Sequence, residues 1–204
     1  MEGYTKTEEK IIEAATEIFL EKGKDGARMQ EIAERAGINK ALLHYYFRNK
    51  KNLHSEVFKK EVQNFFDGLF SAMSSEKDFE AVLQNFINSY IDKLAQRPEI
   101  IRFIIWEIQQ GSGFFADLME EIFKEHHFLK MPLAEKIEEA ISVGRIRSLD
   151  PVQLTFSIIG MCVFPFIASP ILEKVFRDTQ IYSETFLKKR KEEIFNMVWN
   201  GISI

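Results

Sequence analysis

Residues 29–47, MQEIAERAGINKALLHYYF, constrain the fold of this chain more than any other segment. Apolar residues at helical spacing on both sides of an Ala-Gly pair predict two short helices that cross at a steep angle through a tight turn. Ala33 supplies a small residue at the crossing, and Gly37 supplies the positive φ that the turn needs. The side chains that fill the wedge are apolar: Ile32, Ala36, Ile38, Leu43 and, one turn later, Phe47. The pattern predicts a helix-turn-helix over residues 28–47, and its alternative is an ordinary pair of core helices.

The second of these helices has a defined outer face. Lys40 and His44 are four residues apart, as are Ala41 and Tyr45, so the two pairs line up outside, with Leu42 at the edge. A cation, an imidazole, a phenol and small apolar groups can read base edges and thymine methyls in a major groove. The flanking residues Gln30, Tyr46 and Lys50 are predicted to hold phosphates.

The charge of the chain is unevenly distributed. The net charge is −4, but residues 28–60 contain eight basic and three acidic side chains, a local charge of +5 that leaves −9 for the rest. Affinity for phosphates depends on the local density of positive charge rather than on the net charge, so this distribution is compatible with DNA binding. The alternative for any basic stretch is a solvated helix face.

The rest of the chain predicts an all-α protein. Hydrophobic residues make up 46% of the chain, with 19 Phe but only 10 Gly and 5 Pro, which favours helices over a fold with many turns. A long helix from Lys50 is expected to link an N-terminal domain, residues 4–64, to a C-terminal helical bundle, residues 65–204. The other predicted helices cover residues 7–22 with Thr7 as N-cap, 29–36, 39–47 with Asn39 as N-cap, 79–96, 98–110, 114–143 split by Pro132, 151–168 and 183–201.

The segment from Pro151 to Leu172 contains no charged residue, and its length would suffice to span a bilayer. Polar residues dilute it and Pro165 and Pro170 interrupt it, so a helix buried between subunits is the preferred interpretation and no membrane partner is expected.

Cys162 is the single cysteine, and the charged N-terminus lacks the apolar core of a signal peptide, so a cytoplasmic location is expected.

The segment described first resembles the DNA-binding domain of the TetR family of repressors. That family reads roughly Ile-Ala, two variable residues, Ala-Gly-Val, Ser-Lys-Gly-Thr-Leu-Tyr-His-Tyr-Phe, and then Lys. The matching residues here are Ile32-Ala33, Ala36-Gly37-Ile38, Asn39-Lys40-Ala41-Leu42-Leu43-His44-Tyr45-Tyr46-Phe47 and Lys50, with Ile11, Ala15 and Phe19 upstream. The motif is specific and covers about the first 60 residues.

The resemblance implies roles for individual residues. The residues at base-facing positions are Lys40, Ala41, Leu42, His44 and Tyr45, and those at phosphate-contacting positions are Tyr46 and Lys50. Two departures from the family pattern affect the predicted DNA contacts. Arg28 follows Ala27 where the family usually has Ser or Thr, which replaces a hydroxyl–phosphate contact with a charged one. Leu42 replaces a common Thr, so an apolar contact takes the place of a hydrogen bond.

The resemblance also implies an effector cavity among the helices after the linker helix. An apolar or aromatic compound, including a cationic one, would suit the aromatic residues there. The candidate ligand-binding residues are Phe103, Trp106, Glu107, Gln110, Phe123, His127 and Phe164. The alternative for each Phe is a place in an ordinary core.

The last two predicted helices are candidates for a homodimer interface, in which two antiparallel helices from each subunit form a four-helix seam. The candidate interface residues are Phe156, Ile159, Cys162, Ile194, Phe195, Val198, Trp199 and Ile202. Cys162 is interpreted as a buried, unreactive thiol.

These observations predict a DNA-binding transcriptional regulator, a repressor released from a palindromic operator by the effector. A DNA-binding regulator without an effector remains an alternative. An enzyme on a helical bundle is disfavoured, because the chain has no Gly-rich phosphate loop, His-Glu-x-x-His, Cys-x-x-Cys or Glu-x-x-His pair. Neither a metal nor a cofactor is therefore expected.

Overall fold

The computed structural model describes residues 4–74, 78–109, 111, 113–128 and 130–204; the side chains of Ser74, Glu99, Arg102, Phe103 and Trp106 are also outside the description. Within these residues the secondary structure is helical apart from one isolated bridge between Ile146 and Ser203. The all-α fold predicted from the sequence is confirmed. A division between Asn64 and Phe65 separates two compact units.

The first unit contains three helices and the start of a fourth: α1 (Lys6–Gly26), α2 (Met29–Arg35), α3 (Lys40–Phe47) and α4 (Lys50–Ser74). The Thr5 hydroxyl accepts a hydrogen bond from Glu8 N, and Glu8 Oε2 accepts one from Thr5 N. This reciprocal capping box starts α1 at Lys6, so the prediction of Thr7 as N-cap was wrong. Gly23 has φ 69° and interrupts the helical geometry where a stop was predicted, and a last turn then runs to Gly26.

A buried histidine lies in the core of this unit. His54 on α4 is 1% exposed, and its ring meets Phe19 of α1 edge-on with centroids 5.0 Å apart. Burial, together with a smaller effect of the positive charges of Lys24 and Lys50, lowers the pKa of His54 to about 4. His54 is therefore neutral in the folded protein near pH 7.

The second unit holds the rest of α4 and seven further helices among the described residues. They are α5 (Phe79–Gln96), α6 (Pro98–Gln109), α7 (Phe114–Glu125), α8 (Pro132–Ser142), α9 (Pro151–Ile167), α10 (Ser169–Val175) and α11 (Glu184–Ile202). α5 lies at the centre and contacts α6, α8, α9 and α11. The predicted split at Pro132 is confirmed, because this proline begins α8 rather than interrupting a longer helix.

The sequence analysis missed α10. Pro170 was expected to interrupt the preceding helix, but it lies in the first turn of α10, where proline is tolerated. In the described part of the chain, no single helix is long and apolar enough to cross a membrane. By length and composition alone, α9 and α10 pass that test together as a pair bent by 69°.

Candidate DNA-reading surface and apolar cavity

The turn between α2 and α3 has the geometry that the sequence predicts. Ala33 is fully buried where the helices approach, and Ile38 N donates a hydrogen bond of 2.9 Å to Ala33 O. Gly37 has φ 69°, in the left-handed region. Leu43 and Phe47 are buried against the other helices, so α3 has a fixed orientation and a fixed outer face.

The outer face of α3 carries the residues predicted to read bases. Lys40, Ala41 and His44 are exposed, Tyr45 is 79% exposed and Leu42 is half-buried. Asn39 Oδ1 accepts a hydrogen bond of 2.8 Å from Leu42 N, which confirms Asn39 as the N-cap.

His44 is held by a hydrogen bond at the end of α3. Its Nδ1 lies 2.7 Å from Arg48 O, and Arg48 has φ 54°. Since a carbonyl oxygen only accepts hydrogen bonds, Nδ1 must carry the proton. In the neutral imidazole Nε2 is then an acceptor, free to face a base amino group.

The residues that flank α3 include one with a role that the sequence did not reveal. Lys50 Nζ donates to Asp25 O and Ala27 O, each at 3.2 Å, and so fixes the loop between α1 and α2. Gln30 is exposed, with Nε2 2.7 Å from Glu34 Oε1, and Tyr46 is half-buried and meets Tyr45 edge-on at 5.3 Å. Arg28 is exposed at the N-cap position of α2, which its side chain does not cap.

Ion pairs neutralise only part of the positive charge in this unit. Arg35 Nη1 lies 2.8 Å from Glu17 Oε2, and Lys22 pairs with Glu31, so both pairs tie α2 to α1. Among the described residues, Arg28, Lys40, Arg48 and Lys51 form no ion pair. These four cations are close in sequence to the outer face of α3 and remain available to phosphates.

The second unit contains a cavity of about 590 Å³ that is partly open to solvent. Helices α4 to α7, α9 and the start of α8 contribute to its walls. Among the described residues, the lining side chains are aliphatic, aromatic or thioether groups, with Tyr90 and Thr155 as the hydroxyl-bearing exceptions. Thr155 Oγ1 already donates to Pro151 O at 2.8 Å, and burial raises the pKa of Tyr90, which keeps its phenol protonated. The cavity is therefore suited to an uncharged, apolar body.

Of the seven predicted ligand-binding residues, one lines the described cavity wall and three described residues lie elsewhere. Phe123 lines the cavity, whereas Phe164 is 58% exposed and does not belong to the described lining. Glu107 is buried and His127 is exposed just after α7, and neither contributes to the described wall. Gln110 and the side chains of Phe103 and Trp106 lie outside the described residues.

The contribution of α4 to the cavity was missed. Its last turns line the wall with Phe65, Phe66, Leu69, Phe70 and Met73. Their three- and four-residue spacing could have indicated an apolar face. Spacing alone does not distinguish a cavity wall from a packed core.

Half of the predicted dimer residues face the core of their own protomer. Cys162, Ile194, Val198 and Ile202 are at most 5% exposed, because α9 and α11 use these positions to pack within the unit. Within one protomer these four side chains are therefore core residues. Burial raises the pKa of Cys162 to about 12, which leaves it an unreactive thiol.

The other four dimer candidates are at least partly accessible. Phe195 stacks on Trp199 with centroids 6.2 Å apart, and the guanidinium of Arg145 lies 5.4 Å from the Trp199 ring. Ile159 is half-buried and lines the cavity, whereas Phe156 lines the cavity and is also 56% exposed.

In the described part of the chain, no cluster of His, Cys, Asp or Glu could hold a metal ion.

A helix-turn-helix with an exposed polar and aromatic second helix, on a chain with a separate helical unit, defines the class of helix-turn-helix transcriptional regulators. Residues 11–57 match the sequence model of the bacterial regulatory proteins of the tetR family, and residues 80–198 match the tetracyclin repressor-like C-terminal domain. The second match alone covers more than half of the chain. The chain belongs to the TetR family and is a DNA-binding transcriptional regulator.

Curated relatives support the same family. The chain is 31% identical over 125 residues to the HTH-type transcriptional repressor SCO4008 of Streptomyces coelicolor, a match that covers 61% of this chain and 60% of the relative. It is 26% identical over 197 residues to the HTH-type transcriptional regulator RutR of Escherichia coli, covering 94% of this chain and 88% of the relative.

Solved structures show the same fold. A TetR-family regulator from Mesorhizobium loti matches with a TM-score of 0.71 at 22% identity, covering 98% of this chain and 100% of the other. The regulator FadR from Bacillus subtilis, solved with stearoyl-CoA, matches with a TM-score of 0.70 at 20% identity, covering 95% and 98%. AibR, solved with isovaleryl coenzyme A and operator DNA, matches with a TM-score of 0.70 at 20% identity, covering 94% and 97%.

Proposed function

We propose that this protein is a repressor that binds a palindromic operator as a homodimer and releases it when an apolar effector occupies the cavity of the second unit. One observation carries the proposal. α4 is an uninterrupted helix that begins at Lys50, beside the helix-turn-helix, and ends in side chains that line the cavity. A change in the cavity wall would therefore act on a helix whose first turns belong to the DNA-binding unit. Bacterial DNA lies in the cytoplasm, and we place the protein there.

The proposed DNA contacts divide into base reading and phosphate binding. Lys40, His44 and Tyr45 project from α3 and would read base edges, with Ala41 and Leu42 against thymine methyls. Arg28, Tyr46 and Lys50 would position the duplex through phosphates, with Gln30 and Asn39 beside them. Lys50 has one ammonium hydrogen left for a phosphate, because two point at backbone carbonyls.

A palindromic operator follows from two-fold symmetry. In a homodimer the two copies of α3 enter successive major grooves only if they lie about 34–36 Å apart. An effector that changes this spacing weakens operator binding. It does so only to the extent that it binds the released state more tightly than the DNA-bound state.

The cavity favours an effector with a long apolar part. A methylene group occupies roughly the liquid volume of a water molecule, about 30 Å³, so the cavity accommodates a chain on the order of 20 methylene groups. FadR from Bacillus subtilis and AibR were solved with acyl-CoA thioesters, and an acyl chain fits the apolar lining described above. A regulator without an effector is the second candidate, and the cavity counts against it because a constitutive regulator has no need for this space.

The end of α7 contacts α4 directly, so a movement of α7 would be felt by α4. His126, which follows α7, lies with its Nε2 2.8 Å from Asp67 Oδ1 on α4. The same imidazole meets Phe70 edge-on at 4.9 Å, and Phe70 and Phe123 both line the cavity. A ligand that displaces α7 would therefore shift polar and apolar contacts on α4 together.

Operator release can be measured by fluorescence anisotropy on a DNA fragment selected by the protein. Saturating isovaleryl-CoA, stearoyl-CoA or the uncharged fluorophore N-phenyl-1-naphthylamine is added in turn. A true effector raises the operator Kd by about 5- to 150-fold, the usual range of allosteric coupling. Ile159→Trp, which fills the cavity, should abolish this response, whereas Val143→Trp adds the same bulk at an exposed position and should retain it. Ligands that bind the protein but leave the operator Kd unchanged would contradict the proposal.

A further inference from the structure

α9 presents two apolar faces that share side chains. Towards the inside, the cavity wall consists of Thr155, Phe156, Ile159, Val163 and Ile167. Towards the outside, Phe156, Phe164 and Ile167 are 56%, 58% and 48% exposed. Phe156 and Ile167 therefore belong to both faces. At these two positions the cavity lining is itself accessible to solvent.

The exposed apolar surface continues beyond α9. Ile171 and Val175 on α10 and Phe176 after it are 66%, 64% and 58% exposed. α9 itself carries no charged side chain, and α10 carries only Glu173 and Lys174. Single exposed apolar residues are normal on a protein surface, but a contiguous patch indicates a contact surface.

A second copy of this chain is the occupant that fits this surface. An interface with a two-fold axis pairs a patch with itself, and an apolar patch without charge on α9 is self-complementary. At Gly160, in the middle of α9, an added Cβ would meet nothing within 4 Å, so the backbone is open to close approach there. The two-fold symmetry of the proposed operator requires such a pairing, and in this respect the inference rests on the proposed function.

We propose that the partner copy completes the cavity wall, so that ligand occupancy and dimerisation through α9 strengthen each other. Dimerisation covers the exposed area of Phe156 and Ile167 and removes water from this part of the cavity wall. A ligand packs against the inside of the same two side chains and orders them. Each event therefore lowers the conformational and solvation cost of the other.

Thermodynamic linkage makes this coupling reciprocal. If the ligand tightens the dimer by a given factor, the dimer binds the ligand more tightly than the monomer does by the same factor. We expect a factor of about 5 to 150, the range usual for coupled sites.

The experiment uses the full chain and N-phenyl-1-naphthylamine as the apolar probe. Sedimentation equilibrium measures the dimer Kd with and without saturating probe, and the fluorescence increase measures the probe Kd. Phe164→Glu places like charges across the proposed two-fold axis without altering the cavity lining and should produce a monomer. Val143→Glu makes the same kind of change at a residue that is 73% exposed at the end of α8 and serves as control. Far-UV circular dichroism verifies that both variants are folded.

We expect the probe to lower the dimer Kd of the unaltered chain. Phe164→Glu should be a folded monomer that binds the probe more weakly by the same factor. Val143→Glu should behave as the unaltered chain. A dimer Kd unaffected by bound probe would overturn the linkage. A dimeric Phe164→Glu variant would overturn the assignment of the surface. Failure of the unaltered chain to bind the probe would instead remove the apolar cavity from the proposed function, and the linkage with it.

Discussion

One backbone carbonyl of α9 lacks its hydrogen bond within the helix and accepts one from a side chain of α11 instead. Pro165 has no N–H group, so the carbonyl of Met161, four residues earlier, lacks its helical donor. Arg190 of α11 donates from Nη2 to Met161 O at 2.7 Å. Pro165 and Arg190 are thus expected to be energetically coupled, because both determine whether Met161 O has a hydrogen-bond donor.

Arg190→Met keeps most of the aliphatic length and removes the donor. An unpaired buried carbonyl costs about 1–3 kcal/mol. Arg190 Nε is itself buried without a hydrogen-bond partner among the described residues, so the substitution also removes one unsatisfied group. We therefore expect the free energy of unfolding to fall by about 1–2 kcal/mol, the lower part of that range.

Pro165→Ala supplies the missing N–H from the helix itself. In that background Arg190→Met should cost less by about 1 kcal/mol, because Met161 O then keeps a donor. Urea unfolding followed by far-UV circular dichroism measures all four chains, at one protein concentration because a dimer unfolds in a concentration-dependent way. Lys189→Met, at the exposed neighbouring position, is the control and should change stability by under about 0.5 kcal/mol. Equal costs of Arg190→Met in both backgrounds would refute the coupling.

Three further changes test the first unit. Gly37→Ala forces a Cβ into φ 69° and should lower the free energy of unfolding by about 1–2 kcal/mol in a urea titration. Because the pKa of His54 is about 4 when folded and near 6.5 when unfolded, only the unfolded state gains this proton as the pH falls from 6.5 towards 4. Stability should thus decline across that window by up to about 3 kcal/mol, and His54→Leu should flatten the decline in urea titrations over the same pH range. Lys50→Met should lower the melting temperature, because Asp25 O and Ala27 O lose their donor. It should also weaken binding to all DNA sequences with a shallower salt dependence, and an unchanged salt slope would exclude the phosphate contact.

Local signals predicted much of the helical layout. The span of α5 is the predicted one, and Asn39 caps α3 as its sequence position indicates, because capping depends on a few neighbouring residues. Thr5 and Thr7 are both acceptable caps by residue type, and the reach of Glu8 back to Thr5 decided between them. Proline misled the prediction at α10, since a residue that interrupts one helix also suits the first turn of the next.

The cavity and the contact surface depended on packing that periodicity does not reveal. α11 shows apolar residues on adjacent positions, and only the contact with α5 and α9 shows that Ile194, Val198 and Ile202 face inward. The pattern of α9 predicted an apolar helix but gave no reason to place Phe164 outside the cavity lining and its neighbour Val163 within it. A wall that faces a cavity and one that faces a packed core have the same sequence period.

The reading of DNA by the outer face of α3 is tested most directly by selecting bound fragments from a random DNA pool. The unaltered chain should enrich a palindrome with half-site centres about 10 base pairs, or a multiple, apart. Tyr45→Ala should change the bases preferred within each half-site, and Tyr182→Ala, at an exposed tyrosine of the second unit, should leave them unchanged. No enriched sequence, or identical enrichment by Tyr45→Ala and the unaltered chain, would contradict base reading by this face.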